Sequence, residues 1–160
     1  MSEFTTCLWF DKQGEEAARF YVDVFPNSSI SRVTPYVGGD RDGETMTVDF
    51  VLNGQKFVAL NGGPQFRFSE AISFQIPCAD QAEVDRYWNA LTADGGEEGP
   101  CGWLKDRFGL SWQVVPTRLS ELLSSSEPGV AERTASSLFS MRKIVIADLE
   151  AAAAGQTQPA

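Results

Sequence analysis

The feature that most constrains the fold is an internal repeat. When the sequence is aligned with itself at an offset of 67 residues, Glu16 falls on Glu83. The matching segments, 13–25 and 80–93, carry apolar residues at i, i+3, i+4 and i+7, which gives a helix one buried stripe. Self-similarity of this kind indicates two copies of one supersecondary unit.

Each predicted helix follows a short strand and precedes further strands. Asn53-Gly54 separates two of them and is a strong two-residue hairpin signal, because both turn positions need positive φ. Asp80 is the expected N-cap of the second helix. The strands of the first half are predicted at 5–10, 29–36, 45–53 and 55–60. In the second half a strand is predicted at 71–77 before the helix, and strands at 101–105 and 110–116 follow a Gly-rich bend at 94–99. The order in each half is therefore βαβββ, and three helical stretches follow at 117–124, 128–141 and 146–154.

Composition narrows the range of partners. The chain has 13 Lys and Arg against 22 Asp and Glu, a net charge of −9, and an acidic surface repels nucleic acid and anionic lipid. Three cysteines without a C-x-x-C spacing argue against a disulfide framework or a zinc knuckle. The N-terminus "MSEFTTCLWF" lacks the features of a signal peptide. We therefore expect a cytoplasmic protein that binds neither nucleic acid nor membranes.

Several segments carry a family resemblance. The PhnB-like family, often labelled 3-demethylubiquinone-9 3-methyltransferase, has segments similar to "CLWFD", "EEAARFY", "FPNS", "ALNGGP", "EEGPCGWLKDRFGLSWQVVP" and "MRKIVIADLEAA". The resemblance covers residues 3 to about 154, and 97–116 is its most specific part. This family lies within the vicinal-oxygen-chelate superfamily. The resemblance implies an α+β fold of two βαβββ modules forming a cupped mixed β-sheet, as in glyoxalase and bleomycin-resistance proteins, with C-terminal helices and usually a homodimer.

The same resemblance implies a division of the chain. The whole chain, 1–160, would be one domain of the vicinal-oxygen-chelate type, and "NGGP" would close the first module and begin the second. The expected segments are a first module at 3–64, a second at 65–116, C-terminal helices at 117–154 and a flexible tail at 155–160.

The hairpin register separates two faces of the first sheet. Side chains alternate along a strand, and a two-residue turn at Asn53-Gly54 places Asp49 opposite Val58 and Phe50 opposite Phe57. The face with Phe50 and Phe57 is uniformly apolar and should pack on the first helix. The other face is mixed, as a ligand-facing surface would be, and holds Thr45, Thr47, Asp49, Val51, Lys56, Val58 and Leu60.

Alternation also sorts the remaining strands. The side chains predicted to face the cavity are Phe4, Thr6, Leu8, Ala71, Ser73, Gln75, Ser111, Gln113 and Val115. The side chains predicted to pack on the helices are Trp9, Ile72, Phe74, Ile76, Trp103, Trp112 and Val114. The assignment for strand 5–10 depends on carrying the pattern of 71–77 back by 67 residues.

The superfamily resemblance also implies metal-ligand positions on the first and last strand of each module. On this chain they fall near Phe4 or Thr6, Val58, Ala71 and Gln113. A divalent metal of this class needs three or four His, Asp or Glu ligands, and the sequence has no histidine. No G-x-G-x-x-G opens a βαβ unit either. We therefore expect neither a metal nor another cofactor.

Asp49 is the candidate catalytic residue. A partly desolvated carboxylate on the cavity face would serve as a base, and the alternative is an ion pair with Lys56 or a solvated strand end. The candidate ligand-binding residues are Thr47, Val58, Asn61, Gln65, Ser73, Gln75 and Gln113. For the last three the alternative is mutual hydrogen bonding or water, and for 61–64 it is a crossover that needs glycine torsions.

Four functions are compatible with these features. The first is a small-molecule-binding protein that holds a partly polar organic ligand without a metal, as a cytoplasmic homodimer. The second is an enzyme of the kind that the methyltransferase label describes. The third is a metal-dependent lyase or dioxygenase, and the fourth is a structural dimer module.

Overall fold

The computed structural model describes residues 4–156. The chain divides into two compact units between Phe68 and Ser69. Each unit contains one open, four-stranded mixed sheet with strand and helix order βαβββ, and three helices follow in the second unit. The predicted α+β class and the repeated module are confirmed.

The first unit is a sheet covered on one side by one helix. Its elements are β1 (Thr6–Phe10), α1 (Gly14–Val24), β2 (Ser29–Pro35), β3 (Thr45–Leu52) and β4 (Gln55–Asn61). The strand order is β1-β4-β3-β2, with β1 parallel to β4 and the other pairs antiparallel. Helix α1 connects the edge strands β1 and β2 and packs on β3 and β4 in the middle of the sheet.

The second unit repeats this arrangement. Its elements are β5 (Ser73–Cys78), α2 (Gln81–Thr92), a short 3₁₀ turn (Ala93–Gly95), β6 (Glu97–Glu98), β7 (Trp103–Lys105), β8 (Ser111–Pro116), α3 (Thr117–Leu123), α4 (Val130–Leu138) and α5 (Ile146–Ala153). The strand order is β5-β8-β7-β6, and β5 is parallel to β8. Asp80 is the N-cap of α2, as predicted, and its Oδ1 accepts a hydrogen bond from Glu83 N at 2.9 Å.

The β3–β4 hairpin has the predicted register. Asn53 and Gly54 have φ values of 46° and 85°, as a tight turn between twisted strands requires. Asp49 lies opposite Val58, and Phe50 lies opposite Phe57. Phe50 and Phe57 are buried on the α1 side, and the Phe50 ring stacks on Tyr21 with centroids 6.4 Å apart. Burying side chains of this size stabilises the unit by about 1.5–3 kcal/mol each.

The predicted orientation of β1 is wrong. Leu8 is 5% exposed and Phe10 4% exposed, and they pair with Ala59 and Asn61 on the helix side, whereas Trp9 pairs with Leu60 on the opposite side. The reason is a difference in connection length. Residues 11–13 join β1 to α1, but only residues 79–80 join β5 to α2. The offset is 67 between the starts of α1 and α2 but 68 between the ends of β1 and β5, and a one-residue slip exchanges the two faces of a strand.

Two further assignments in the second unit are corrected. Trp103, predicted on the helix side, pairs with Gln113 and lies on the other face of the sheet. The strand β5 begins at Ser73, so Ala71 and Ile72 precede it, and Ile72 is 70% exposed instead of packed on the helix. In both places a short or late-starting strand removes the register on which simple alternation depends.

The C-terminal helices share a core of their own. Ile144 and Leu149 are fully buried with apolar residues of α3, α4 and α5, so their partner surface lies within the chain. Helix α4 is shorter than predicted because it begins after Gly129, whose φ is 78°. Among residues 4–156 no helix is both long enough and apolar enough to cross a bilayer. The end of the predicted tail, 157–160, lies outside the described residues.

Candidate functional site

Each sheet has a distal face, which we define as the side opposite its helix. On the distal face of the first sheet the structure brings together Thr47, Asp49 and Val58, which are all partly buried. Asp49 pairs with Val58, and Thr47 pairs with Leu60 across β3 and β4. Three of the predicted site residues therefore share one surface.

Asp49 forms an ion pair at the edge of this surface. Its Oδ2 accepts a hydrogen bond from Arg32 Nε on β2 at 2.7 Å. The Asp49 side chain is 25% exposed and that of Arg32 is 73% exposed. Asp49 is therefore ion-paired, but with Arg32, whereas the predicted alternative was an ion pair with Lys56. The role of Asp49 as a base stays a prediction.

Asn61 has a structural environment that the sequence analysis did not assign to it. It is the last residue of β4, is 4% exposed and lies on the side of α1. Its Oδ1 accepts a hydrogen bond from Gly14 N at 2.7 Å, and its Nδ2 donates to Thr45 O at 3.0 Å. The side chain thus binds one of the free N–H groups at the start of α1. Because both ends of the amide are already partnered, we do not retain Asn61 in the proposed site.

The "NGGP" segment is shaped by Trp9. The Trp9 indole donates a hydrogen bond to Gly63 O at 2.8 Å and meets the Phe66 ring edge-on, with centroids 5.0 Å apart. A Cβ on Gly62 would lie 2.3 Å from the Trp9 ring, and Gly63 has a φ of 100°. Both glycines are therefore required by packing and backbone conformation. Gln65 follows in the exposed turn.

On the distal face of the second sheet, three predicted ligand-binding residues form one hydrogen-bonded row. Gln113 Nε2 donates to Ser73 Oγ at 2.8 Å, and Gln75 Nε2 donates to Gln113 Oε1 at 3.2 Å. The structure brings the three side chains together as predicted. It also agrees with the alternative in which they form hydrogen bonds with one another. Trp103 pairs with Gln113 and Lys105 pairs with Ser111 on the same face.

A groove of about 410 Å³ borders this row within the second unit. Its walls come from β6, β7, the start of β8 and the segment before β5, and its lining residues are Glu70, Glu97, Glu98, Gly99, Pro100, Trp103, Leu104, Lys105 and Ser111. Lys105 Nζ and Glu70 Oε1 form an ion pair at 2.5 Å. This hydrogen bond lowers the pKa of Glu70 and raises that of Lys105, so both groups carry charge at neutral pH.

Ser111 is the unusual residue of the groove. It is 1% exposed, and within residues 4–156 its Oγ has no hydrogen-bond partner. Buried hydroxyl groups are normally hydrogen-bonded, so an exception calls for an explanation. Ser111 was predicted to face the cavity but was not among the predicted ligand-binding residues. Glu70, Trp103 and Lys105 were not among them either. The charged side chains gave no periodic signal, and Trp103 was assigned to the wrong face.

Asp106 organises the turn that leads into β8. It is 3% exposed, its Oδ1 accepts hydrogen bonds from Phe108 N at 2.9 Å and Leu110 N at 3.1 Å, and its Oδ2 accepts one from Trp112 Nε1 at 2.8 Å. Residues 106–109 separate the predicted strands at 101–105 and 110–116, and no role was predicted for them from the sequence. The sequence did offer a turn signal, because Asp106 is followed by Gly109 two residues before β8 begins.

The side chains at the superfamily's ligand positions do not fit a divalent metal. Two of the predicted positions shift: Thr6 pairs with Phe57 on the helix side, and Ala71 precedes β5. The corresponding residues on the distal faces are Cys7, opposite Val58, and Gln75, opposite Gln113. One thiol, one aliphatic group and two amides provide no imidazole and no carboxylate, which such metals require. Within residues 4–156, no three or more His, Cys, Asp or Glu side chains are grouped so that they could hold a metal ion.

The cysteines should differ sharply in reactivity. Burial raises the pKa of the fully buried Cys78 thiol to about 11, whereas Cys7 is exposed, although desolvation also raises the pKa of its thiol. Only the thiolate reacts, and at pH 8 about one thousandth of Cys78 is thiolate. We expect iodoacetamide to modify Cys7 in the native protein and Cys78 only in urea, as measured by peptide mass spectrometry. Equal labelling of both in the native state would contradict the buried placement.

The strand order, the register and the paired modules define the class of this protein. It is an α+β protein with a fold of the glyoxalase and bleomycin-resistance type. The family model described as 3-demethylubiquinone-9 3-methyltransferase matches residues 2–115. The chain belongs to this family, which includes PhnB-like proteins. No curated protein matches the sequence.

Solved structures agree with this assignment. The PhnB protein of Bacillus cereus is 30% identical, with a TM-score of 0.64 over 72% of this chain and 100% of its own. Protein PA1353 of Pseudomonas aeruginosa is 20% identical, with a TM-score of 0.61 over 72% of this chain and 98% of its own. The fosfomycin resistance protein FosX of Listeria monocytogenes is 14% identical, with a TM-score of 0.52 over 76% of this chain and 97% of its own. The last two show the fold alone.

Proposed function

We propose that this chain binds a small organic molecule in the groove of the second unit, without a metal ion. The observation that carries the proposal is the buried hydroxyl of Ser111, which has no partner among the described residues and belongs to a groove of about 410 Å³. Ligand pockets typically have volumes of about 300–1,000 Å³ and combine an apolar lining with a few polar groups. The groove has an indole from Trp103, aliphatic contacts from Pro100 and Leu104, and a hydroxyl that needs a partner.

The metal-free part of the proposal rests on ligand chemistry. The positions expected to hold the metal carry no histidine and no carboxylate, and Gln113 is already bonded to Ser73 and Gln75. A neutral amide is a weak ligand by itself. Hydrogen bonding to an organic ligand suits such side chains better.

The proposal predicts a ligand that is lost when the groove is altered. Native mass spectrometry of freshly purified protein should show an organic adduct and no metal on each chain. Trp103→Leu removes the largest apolar wall of the groove, and we expect adduct occupancy to fall at least about fivefold, since aromatic side chains dominate such contacts.

Phe139→Leu is the matched control, because Phe139 is 75% exposed and lies outside the groove. It should leave adduct occupancy unchanged. A stoichiometric metal would overturn the metal-free proposal, and an adduct retained by the Trp103→Leu variant would place the ligand elsewhere.

A second candidate function is methyl transfer, and the observation that favours it is the description of the family model. Neither mixed sheet of this chain has the doubly wound parallel order that commonly binds nucleotide-type cofactors. S-adenosylmethionine distinguishes the candidates, because a ligand of the folded state raises the melting temperature. An unchanged melting temperature at millimolar S-adenosylmethionine would count against methyl transfer from this donor.

We also propose that the chain acts as a homodimer in the cytoplasm. The support is the resemblance to vicinal-oxygen-chelate proteins, together with the exposed apolar side chain of Val33 on the edge strand β2. The same native mass spectra report the subunit number.

A further inference from the structure

The groove carries a charge pattern that narrows the ligand class. We infer that its ligand is an organic cation with a flat apolar body, such as a protonated aromatic amine. This inference rests on the proposed function, which requires only that some organic molecule binds there. Three carboxylates, from Glu70, Glu97 and Glu98, line the groove against one ammonium group, from Lys105.

The three carboxylates are not equivalent. Glu70 is paired with Lys105 at 2.5 Å, and Glu98 Oε1 accepts a hydrogen bond from Trp88 Nε1 at 3.0 Å. Within residues 4–156, Glu97 has neither a salt bridge nor a side-chain hydrogen bond. Glu97 lies opposite Lys105 across β6 and β7 and attracts its charge, but the Lys105 ammonium group is bonded to Glu70, so the Glu97 carboxylate keeps its hydrogen-bonding capacity for a bound cation. Arg142 contacts the Glu98 carbonyl at 3.5 Å, and even with its charge included the negative groups outnumber the positive ones.

Trp103 adds a second cation-binding feature. It lies on β7 and lines the groove. The neighbouring strand is the acidic β6, on which Glu98 pairs with Leu104, the residue after Trp103. An indole face attracts a cation by about 0.5–1 kcal/mol at exposed sites and also stacks on flat rings. A carboxylate and an indole in one groove favour a ligand that is both positively charged and aromatic.

Ser111 is the independent observation that points to a ligand here. Ser111 lines the groove, and its buried hydroxyl has no partner among residues 4–156, although a hydroxyl can donate one hydrogen bond and accept others. An ammonium group has only donors, so it would use the acceptor capacity of Ser111 Oγ together with the Glu97 carboxylate. An anionic ligand would instead meet three carboxylates in the same groove.

The test uses three probes of similar size and different charge: 2-naphthylmethylamine, 2-naphthamide and 2-naphthoate. Titrations of the full chain by calorimetry at low salt should give affinities in the order amine, amide, carboxylate, with about tenfold between the first two. Because the attraction is electrostatic, raising the salt concentration should lower the affinity for the amine and leave the affinity for the amide unchanged.

Two matched variants locate the charge effect. Glu97→Gln should lower the affinity for the amine about threefold to fivefold and leave the affinity for the amide unchanged. Glu132→Gln makes the same change in net charge on the exposed surface of α4, outside the groove, and should affect neither probe. An equal loss in both variants would mean that only the overall charge of the protein matters, which would overturn the assignment.

The outcomes separate this inference from the proposed function. Equal binding of all three probes, or tighter binding of the carboxylate, would overturn the cation preference. If Trp103→Leu then still weakens the binding of these probes, the groove remains a ligand site. Binding of none of the probes at millimolar concentration would overturn the cation inference, and if native mass spectra also show no organic adduct, the proposed function fails with it. Ser111→Ala should lower the affinity for the amine more than the affinity for the amide. A larger loss for the amide would exclude Ser111 as a contact of the cation.

Discussion

Replacing Asp106 by alanine should destabilise the second unit by about 3 to 4 kcal/mol. The carboxylate accepts hydrogen bonds from two backbone N–H groups and from the Trp112 indole, and the residue is 3% exposed. Its removal leaves these buried donors without partners, and each such donor costs about 1–3 kcal/mol. Trp112 and Leu110 are themselves buried, so water has little access to replace the lost acceptor.

The measurement is the free energy of unfolding in urea, followed by tryptophan fluorescence. Asp106→Asn should cost less than alanine, because an amide keeps one acceptor oxygen but cannot serve both sides of the turn. Asp23→Ala is the control, since Asp23 is exposed on α1 and should change stability by less than about 0.5 kcal/mol. Equal stability of the wild type and Asp106→Ala would refute the structural role of this carboxylate.

Replacing Asn61 by alanine should destabilise the first unit by about 2 to 3 kcal/mol. The side chain joins the end of β4 to the start of α1 through Gly14 N, and to β3 through Thr45 O. The substitution leaves both backbone groups unpaired and opens a small cavity beside α1. Tyr36 and Arg41 also bind the Asn61 carbonyl, at 2.6 and 3.0 Å, and these main-chain contacts survive the substitution.

The same urea experiment tests this role. Asn89→Ala is the matched control, because Asn89 is exposed on α2 and alanine favours a helix. Asn61→Asp should also destabilise, since a carboxylate cannot donate to Thr45 O. If Asn61→Ala kept full stability and instead lost the organic adduct, the original prediction of a ligand contact would be correct and our structural assignment would be wrong.

Much of the fold was predictable because its signals are local. The stripe on each helix, the Asn53-Gly54 turn and the Asp80 cap each depend on a few neighbouring residues, and all three are present in the structure. The hairpin register followed from the turn, because a turn of fixed length leaves one pairing of the two strands. The faces of β3 and β4 followed from this register, and those of β8 followed from simple alternation along the strand.

The candidate site was only partly predictable. Ser73, Gln75 and Gln113 were grouped correctly, because they lie on regular strands whose alternation can be counted. The groove beside them was missed, because it is built from a two-residue strand, a bend and the segment before β5. Irregular backbone of this kind carries no periodic pattern, so its side chains cannot be assigned to a face by counting.

The sequence by itself therefore determined the repeated βαβββ order, the helix stripes and the main hairpin, because these depend on residues close together in the chain. Only the tertiary structure decided the face of β1, where one residue in a connection reversed the orientation, since pairing of parallel strands is set by how the helix between them docks. It also decided the partners of Asn61 and the assembly of the groove. Hydrogen bonds between distant backbone groups and space enclosed by separate strands exist only once the chain is packed.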